Sequence, residues 1–192
     1  RTFTSQVAVN SLLQYAFGVV ERSPTKFAFN IQNGQVLAPD FRFAYNNQGF
    51  LEGTGVPFRL TRNIEEVIGP FLLQGSFFPT FSSAALAVSA HKSEMDPILN
   101  LLIRDDIVSW YTSKSSARSD TKTQELEHQL MDRVNKNTAL VQERIQECSP
   151  TETNSADTRT LETVDQRVRN LVTAATSPEK LCLMQHSYQG WL

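Results

Sequence analysis

Apolar positions recur along the chain with changing period, and the changes divide it into three parts. From Thr2 to Val20 they fall at Phe3, Val7, Val9, Leu12, Leu13, Ala16 and Phe17. That is close to the 3.6-residue repeat of a buried helix, which the spacing ends near Gly18. Phe27 to Ile31 and Gln35 to Leu37 read as two short strands of a hairpin. Asn33-Gly34 is the expected two-residue turn, since both positions tolerate positive φ. Tyr45 to Gly55 is a loop rich in Gly and Asn.

Residues 57 to 112 look helical and buried. Asn63 is the expected cap of a short helix through Ile68, with Glu65 and Glu66 in its first turn and Gly69-Pro70 as its stop. Phe81 to Lys92 carries small and apolar residues on almost every face, as a helix in the middle of a domain would. Asp96-Pro97 predicts an N-cap followed by Pro at the first helical position. The helix it opens holds Ile98, Leu101, Leu102, Ile103, Ile107, Val108, Trp110 and Tyr111, the pattern of a central core helix.

Beyond this the character changes. Residues 113–123 form a Ser/Lys/Thr linker without periodicity, and residues 148–158 form a second polar linker. Both are expected to be mobile surface connections, because neither can bury enough apolar area to offset its ordering entropy. Between them, residues 124–147 predict a long charged helix with one stripe at Leu126, Leu130, Val134, Val141 and Ile145. Leu161, Val164, Val168, Leu171, Val172 and Ala175 give another amphipathic helix, which needs a surface to dock on. Ser177-Pro178-Glu179 starts one more turn, and the tail closes on Trp191-Leu192, read as an apolar anchor.

Composition narrows the function more than it names it. The 192 residues have 40% hydrophobic and 20% charged positions, an ordinary globular balance. A net charge of −2 leaves no global basic surface for nonspecific nucleic-acid binding by counterion release. No apolar run approaches the roughly 20 residues of a bilayer span, and no secretory signal pattern is present. The chain opens at Arg1 without Met, as a piece of something longer would. Cys148 and Cys182 are too few for a disulfide framework and fit a reducing compartment. His91, His128 and His186 lie far apart with no ligand-spaced neighbour, so no metal site is expected. Gly53-Thr54-Gly55 is a lone GxG without a helix signal behind it, and neither a Walker A nor a GxSxG pattern occurs.

The informative stretch is Val20 to Phe43. It has the frame of a kinase catalytic centre: a helix, a catalytic-loop-like segment, a hairpin, then Asp40-Phe41. In lipid-kinase-like and PIKK families the loop follows G-D-R-H-x-x-N and the later segment G-x-V-x-H-I-D-F-G. Here they read Val20-Glu-Arg-Ser-Pro-Thr-Lys26 and Gly34-Gln-Val-Leu-Ala-Pro-Asp-Phe-Arg42. The spacing is kept and the chemistry is not. Glu21 replaces the catalytic Asp, and an error of about 1 Å in such a carboxylate can cost on the order of 100-fold. Ser23 replaces the His and cannot carry charge near neutral pH. Lys26 replaces the metal-binding Asn; beside a divalent ion at about 4 Å its gross repulsion reaches roughly 8 kcal/mol at an effective dielectric near 20. Asp40 survives, but Arg42 stands where the Gly follows Phe41, and one Asp cannot hold two magnesium ions. Asp40 then reads as a turn or capping residue.

Three further motifs carry a family resemblance. Val56-Pro-Phe-Arg-Leu-Thr-Arg-Asn63 resembles V-P-F-R-L-T-P-N, with Arg62 in place of Pro. Ile103-Arg-Asp-Asp-Ile-Val-Ser-Trp110 resembles R-D-E-I-x-x-W, with Asp106 in place of Glu. Val168 to Cys182 matches the V-x-x-L-x-x-A-A-x-S-x-x-x-L-C run of a FATC segment, and Trp191-Leu192 its W-L end. Together they resemble the C-terminal end of the PIKK-family pseudokinases of transcription coactivator complexes. The resemblance implies an α+β, predominantly α fold: the C-lobe of a phosphoinositide-kinase-like or PIKK-like kinase over residues 1–112, and a FATC helical segment over 159–192. It implies a nuclear scaffold without catalysis, nucleotide or metal. The implied setting is a SAGA-type or MYST-type histone acetyltransferase complex, whose other subunits would be its partners. Transcription activators would dock elsewhere on the protein, on a large helical solenoid. No direct nucleic-acid or membrane partner is implied. Two alternatives stand beside this: the C-lobe of an active PIKK-family serine/threonine kinase, and an unrelated helical interaction domain.

Overall fold

A computed structural model describes residues 1–20, 22–38, 41–53, 55–69, 75–115, 123–150 and 158–190. Helices dominate. In chain order they are α1 (Thr2–Phe17), α2 (Arg62–Ile68), α3 (Phe77–Ala90), α4 (Lys92–Ser115), α5 (Thr123–Glu147), α6 (Thr158–Thr176) and α7 (Pro178–Cys182). A small hairpin, β1 (Ala28–Phe29) and β2 (Val36–Leu37), and two 3₁₀ turns, Pro24–Lys26 and His186–Tyr188, complete the set. The fold is the predominantly helical one expected for a kinase-like C-lobe. Among the described residues no helix is long and apolar enough to cross a membrane.

α1 forms where the 3.6 period places it, burying Val7, Ala8, Leu12, Ala16 and Phe17 against α3 and α5. It stops at Gly18, whose φ of 59° puts it in the left-handed region. The Val19 N–H returns to the Gln14 carbonyl at 3.0 Å, satisfying an orphan acceptor of the helix end. Only Gly fits here, because a Cβ would lie 2.7 Å from the Glu52 carbonyl oxygen. Phe58, Phe77 and Phe81, all fully buried, meet ring to ring at 5.9–6.4 Å and join the Val56–Thr61 segment to α3.

The stripe of α5 is buried at Val134, Val141 and Ile145, and α6 buries Val168, Val172 and Ala175. Asn137 sits on the same buried face of α5. Its Nδ2 donates to the Gly49 carbonyl and its Oδ1 accepts from the Leu51 N–H, both at 2.9 Å, which ties the Gly/Asn loop to the helix.

Several local expectations give way. The hairpin pairs Ala28 with Leu37 and Phe29 with Val36, but its turn is longer than Asn33-Gly34. Asn30 and Gln35 close a four-residue loop in which Gly34 (φ 73°) has positive φ and Asn33 does not. The side chains of Asn30 and Asn33 instead accept the Gln32 and Gln35 N–H groups, so each Asn builds its own turn and no type I′ turn is needed. α2 begins at Arg62, so Thr61 rather than Asn63 holds its N-cap position, and the Thr61 side chain makes no capping hydrogen bond. α3 buries one face, at Phe77, Phe81, Ser82 and Ala85, while Ser83 and Ala87 are exposed.

α4 starts at Lys92, with Pro97 inside it and not at its first position. Asp96 is not a cap: its carboxylate accepts from the Gln142 side chain on α5. Nor is α4 a helix buried all round. Leu99, Ile103 and Ile107 are in the core, whereas Ile98, Leu101, Leu102 and Val108 are 40–60% exposed.

The linkers are shorter than drawn. Residues 113–115 belong to α4 and Thr123 to α5; Cys148 and Ser149 are buried, and Thr158 is helical. The expectation of mobile linkers thus fails at those ends, where the chain is held by the adjoining helices, and its remainder, 116–122 and 151–157, lies outside the described residues.

Candidate functional site

The site is built where two segments run side by side. Val19 pairs with Phe43 as an antiparallel bridge, and the Val20 N–H donates to the Arg42 carbonyl at 3.0 Å. The catalytic-loop-like segment is therefore laid against the segment that follows the hairpin. Ser23 opens the 3₁₀ turn Pro24–Lys26; the Lys26 N–H returns to the Ser23 carbonyl, and the Ser23 and Thr25 hydroxyls pair at 2.9 Å.

Lys26 and Arg22 line one small cavity with Phe27, Phe41, Leu13 and Val19, of about 10 Å³. That is room for about one water. Phe41 packs on Phe17 and Phe43 at 5.1 and 5.3 Å, filling this corner with aromatic rings. Arg42 is exposed, and its charge bears on Asp106 of α4 rather than on this cavity. Of the residues singled out from sequence, Lys26 and Phe41 come together while Ser23 and Arg42 lie off the cavity. Glu21, Asp40, Trp191 and Leu192 lie outside the described residues.

A kinase-like frame implies a magnesium–nucleotide site, and among the described residues, which exclude Glu21 and Asp40, the lining brings cations and no carboxylate. The described lining offers the two cations and the amides of Asn10 and Gln14. Asn10 is bonded to the Gln6 carbonyl and Gln14 to the Arg59 N–H. Cations repel a divalent ion, and hard cations of this class need oxygen ligands.

Sequence reasoning passed over the most buried charges. Arg22 is 3% exposed and Arg59 4%. Arg22 Nη2 donates to the Val56 carbonyl at 2.8 Å. Arg59 Nη1 donates to the Arg22 carbonyl at 2.8 Å and to the Tyr188 carbonyl, and Nη2 reaches the Gln189 carbonyl at 3.5 Å. The Arg59 guanidinium lies 4.9 Å from the centre of the Tyr188 ring and that of Arg22 lies 5.6 Å from it. Both guanidinium groups thus lie within cation–π range of the Tyr188 ring, a contact stronger when desolvated.

Burial lowers the pKa of both guanidinium groups, and for Arg22 the like charge of Arg59 adds to it. Burial raises that of the Tyr188 hydroxyl, with the two arginines pulling it back. The Tyr188 hydroxyl has no hydrogen-bond partner. The cluster joins four parts of the chain: α1 through Gln14, the loop at Arg22, the Val56–Thr61 segment and the C-terminal turn. One signal could have found it: Arg59 is a lone charge in the apolar run Val56 to Leu60.

Comparison with known proteins adds the family context. The profile of the family described as phosphatidylinositol 3- and 4-kinase matches residues 1–112. Over its whole length the chain is 26% identical to the SAGA complex/NuA4 acetyltransferase complex subunit Tra1 of Schizosaccharomyces pombe. It is likewise 26% identical to the transformation/transcription domain-associated protein of Homo sapiens. Over 98% of its length it is 26% identical to the serine/threonine-protein kinase ATM of Drosophila melanogaster. The chain spans only 5–6% of the length of these relatives.

Proposed function

This chain belongs to the phosphatidylinositol 3- and 4-kinase family, and on that premise we propose that it is part of a catalytically silent, kinase-like head serving as structure in a large scaffold protein. The observation that carries the reading is Lys26, set beside Phe27 and Phe41 at the position where the kinase motif has its metal-binding Asn. Relatives named as SAGA and NuA4 subunits, similar over the full chain, support placing it in a histone acetyltransferase complex of that kind in the nucleus. Its partners would be other subunits of the complex, with transcription activators engaged by the rest of the protein. Residues 1–112 would be the C-lobe, 124–147 its bracing helix and 159–192 the FATC segment.

The exposed apolar faces fit such a role. Ile98, Leu101, Leu102 and Val108 on α4, and Phe29, Ile31 and Leu37 on the hairpin, are the kind of surface that larger assemblies cover. The second reading, an active serine/threonine kinase with an altered loop, is favoured by the similarity to ATM.

Titration of the full-length protein with Mg-ATP separates the two. A bound nucleotide at 100 times its dissociation constant stabilises by about 2.7 kcal/mol. The scaffold reading expects no magnesium-dependent rise in melting temperature and no transfer of labelled phosphate to protein substrates. A clear rise accompanied by transfer establishes the kinase instead.

A further inference from the structure

The end of α1, the loop at Gly53 and Gly55, and helices α5, α6 and α7 enclose a cavity of about 210 Å³. Its described lining holds two cations, Arg144 and Lys180, and no carboxylate. It shares no described lining residue with the Lys26 corner, so it does not depend on whether the head is silent or active.

Arg144 reaches from α5 to the end of α1. Its Nη1 donates to the Ala16 carbonyl at 3.1 Å, which orients the guanidinium. Nη2 is left on the loop side: a Cβ added at Gly53 would lie 3.9 Å from it and within 4 Å of nothing else. An oriented guanidinium edge suits two oxygens of one oxyanion, and a lysine ammonium adds a point charge beside it. Burial lowers the Arg144 pKa, and Tyr15, Glu147 and Glu143 pull it partly back. Neither glutamate lines the cavity, and Glu147 is taken by Arg167 and Tyr15.

Size narrows the occupant further. Pockets for drug-sized ligands start at about 300 Å³, so a nucleotide is too large for this one. At roughly 30 Å³ per water, the space equals about seven waters, enough for one phosphate on a short carbon stem. Pro57, with Leu171 and Ala174 of α6, gives such a stem an apolar side. The loop side is bare, since a Cβ at Gly55 would meet nothing within 4 Å. Backbone without a side chain lets a ligand approach closely. Thr54, between the two glycines, lies outside the described residues.

We propose that this cavity binds the phosphate group of a phosphate monoester, held by Arg144 and Lys180. A small organic ester and a phosphorylated serine of a partner protein carry the same group, and the test separates them. The full-length protein is mixed with phenyl phosphate or with a phosphoserine peptide of otherwise neutral sequence. A brief pulse of an amine-acetylating reagent follows, and modification is read from peptide masses. At least one of the two probes is expected to lower acetylation of Lys180 several-fold and to leave Lys136, exposed on α5, unchanged. Protection by phenyl phosphate alone marks a small ester, and protection by the peptide alone marks a partner. Benzoate, a ring of the same size with a carboxylate, should protect several-fold less well than phenyl phosphate.

Arg144→Met should remove the protection. Gly53→Leu should remove it as well while keeping both charges, because it sets a side chain beside Arg144 Nη2. Gly53 lies outside the left-handed region, so its backbone accepts the change, and the melting temperature checks the fold of each variant. The proposal is overturned if neither phosphate protects Lys180 or if Lys136 is protected equally. Benzoate protecting as well as phenyl phosphate, or protection that survives Gly53→Leu in a folded protein, overturns it too.

Discussion

Replacing Arg59 with Met keeps the aliphatic stem and removes the guanidinium, which makes it the sharpest probe of how the C-terminal segment is held. Two of its hydrogen bonds are short, to the Arg22 and Tyr188 carbonyls, and the third, to Gln189, is long at 3.5 Å. Hydrogen bonds to a charged group contribute about 1.5–3 kcal/mol each, so the two short ones give roughly 3–6 kcal/mol gross. Against this, Arg59→Met relieves the cost of a desolvated cation, which lowers its pKa, and removes the like charge that adds to the burial of Arg22. We expect a net loss of about 2–4 kcal/mol, read from urea unfolding of the chain. The amides of Tyr188 and Gln189 should lose protection from hydrogen exchange together with those of the 3₁₀ turn Pro24–Lys26. Tyr188→Phe is the control: its hydroxyl is buried without a partner, and removing such a group is neutral or stabilising. A loss below about 0.5 kcal/mol for Arg59→Met, the range of an ordinary surface substitution, would refute the account of a buried hub.

Asn137→Ala leaves the Leu51 N–H and the Gly49 carbonyl buried without partners, at about 1–3 kcal/mol each, so a loss of about 2–4 kcal/mol is expected in the same unfolding assay. An unchanged midpoint would mean that the loop is held by other contacts. The Asp106 carboxyl is pushed up by burial, with the neighbouring Tyr45 hydroxyl and Arg42 drawing it partly back. Its folded value above the unfolded one, about 3.9, means that the folded chain binds the proton more readily. Stability from this group falls as pH rises from the unfolded value through the folded one, then stays level. Asp106→Asn should flatten that part of the melting-temperature profile; a profile parallel to the parent's would show that Asp106 titrates alike in both states.

Much of the fold was legible because long amphipathic helices announce themselves. The stripes at Val134, Val141 and Ile145 and at Val168, Val172 and Ala175 are buried as their period requires. Gly18 ends α1 because nothing larger fits its backbone. Cap positions were less legible. Thr61, not Asn63, precedes α2, and Asp96 reaches across to Gln142 on α5, a partner 46 residues away that no local pattern reveals. The site shows the same limit. The pairing of Val20 with Arg42 is a contact the motif spacing did not state, and the arginines beside Tyr188 come from positions 22 and 59, far from it in sequence.

The misreading of α4 follows from a physical ambiguity. Periodicity reports which residues avoid water, not which surface shields them. Leu99, Ile103 and Ile107 face this domain's own core, while Ile98, Leu101, Leu102 and Val108 run along the other side, and all of these but Leu99 entered the sequence reading as one core. At about 25 cal/mol per Å² of apolar surface removed from water, burying a large aliphatic side chain stabilises by roughly 1.5–3 kcal/mol. Four such side chains, each 40–60% exposed, together forgo roughly twice that amount. A helix with apolar residues on two faces gains further stability only when a second surface covers the outer one. The feature that misled the sequence reading of the fold is thus the one that speaks for assembly. The outer stripe of α4, apolar and 40–60% exposed, therefore fits the proposed scaffold role and adds nothing to the stability of the chain by itself.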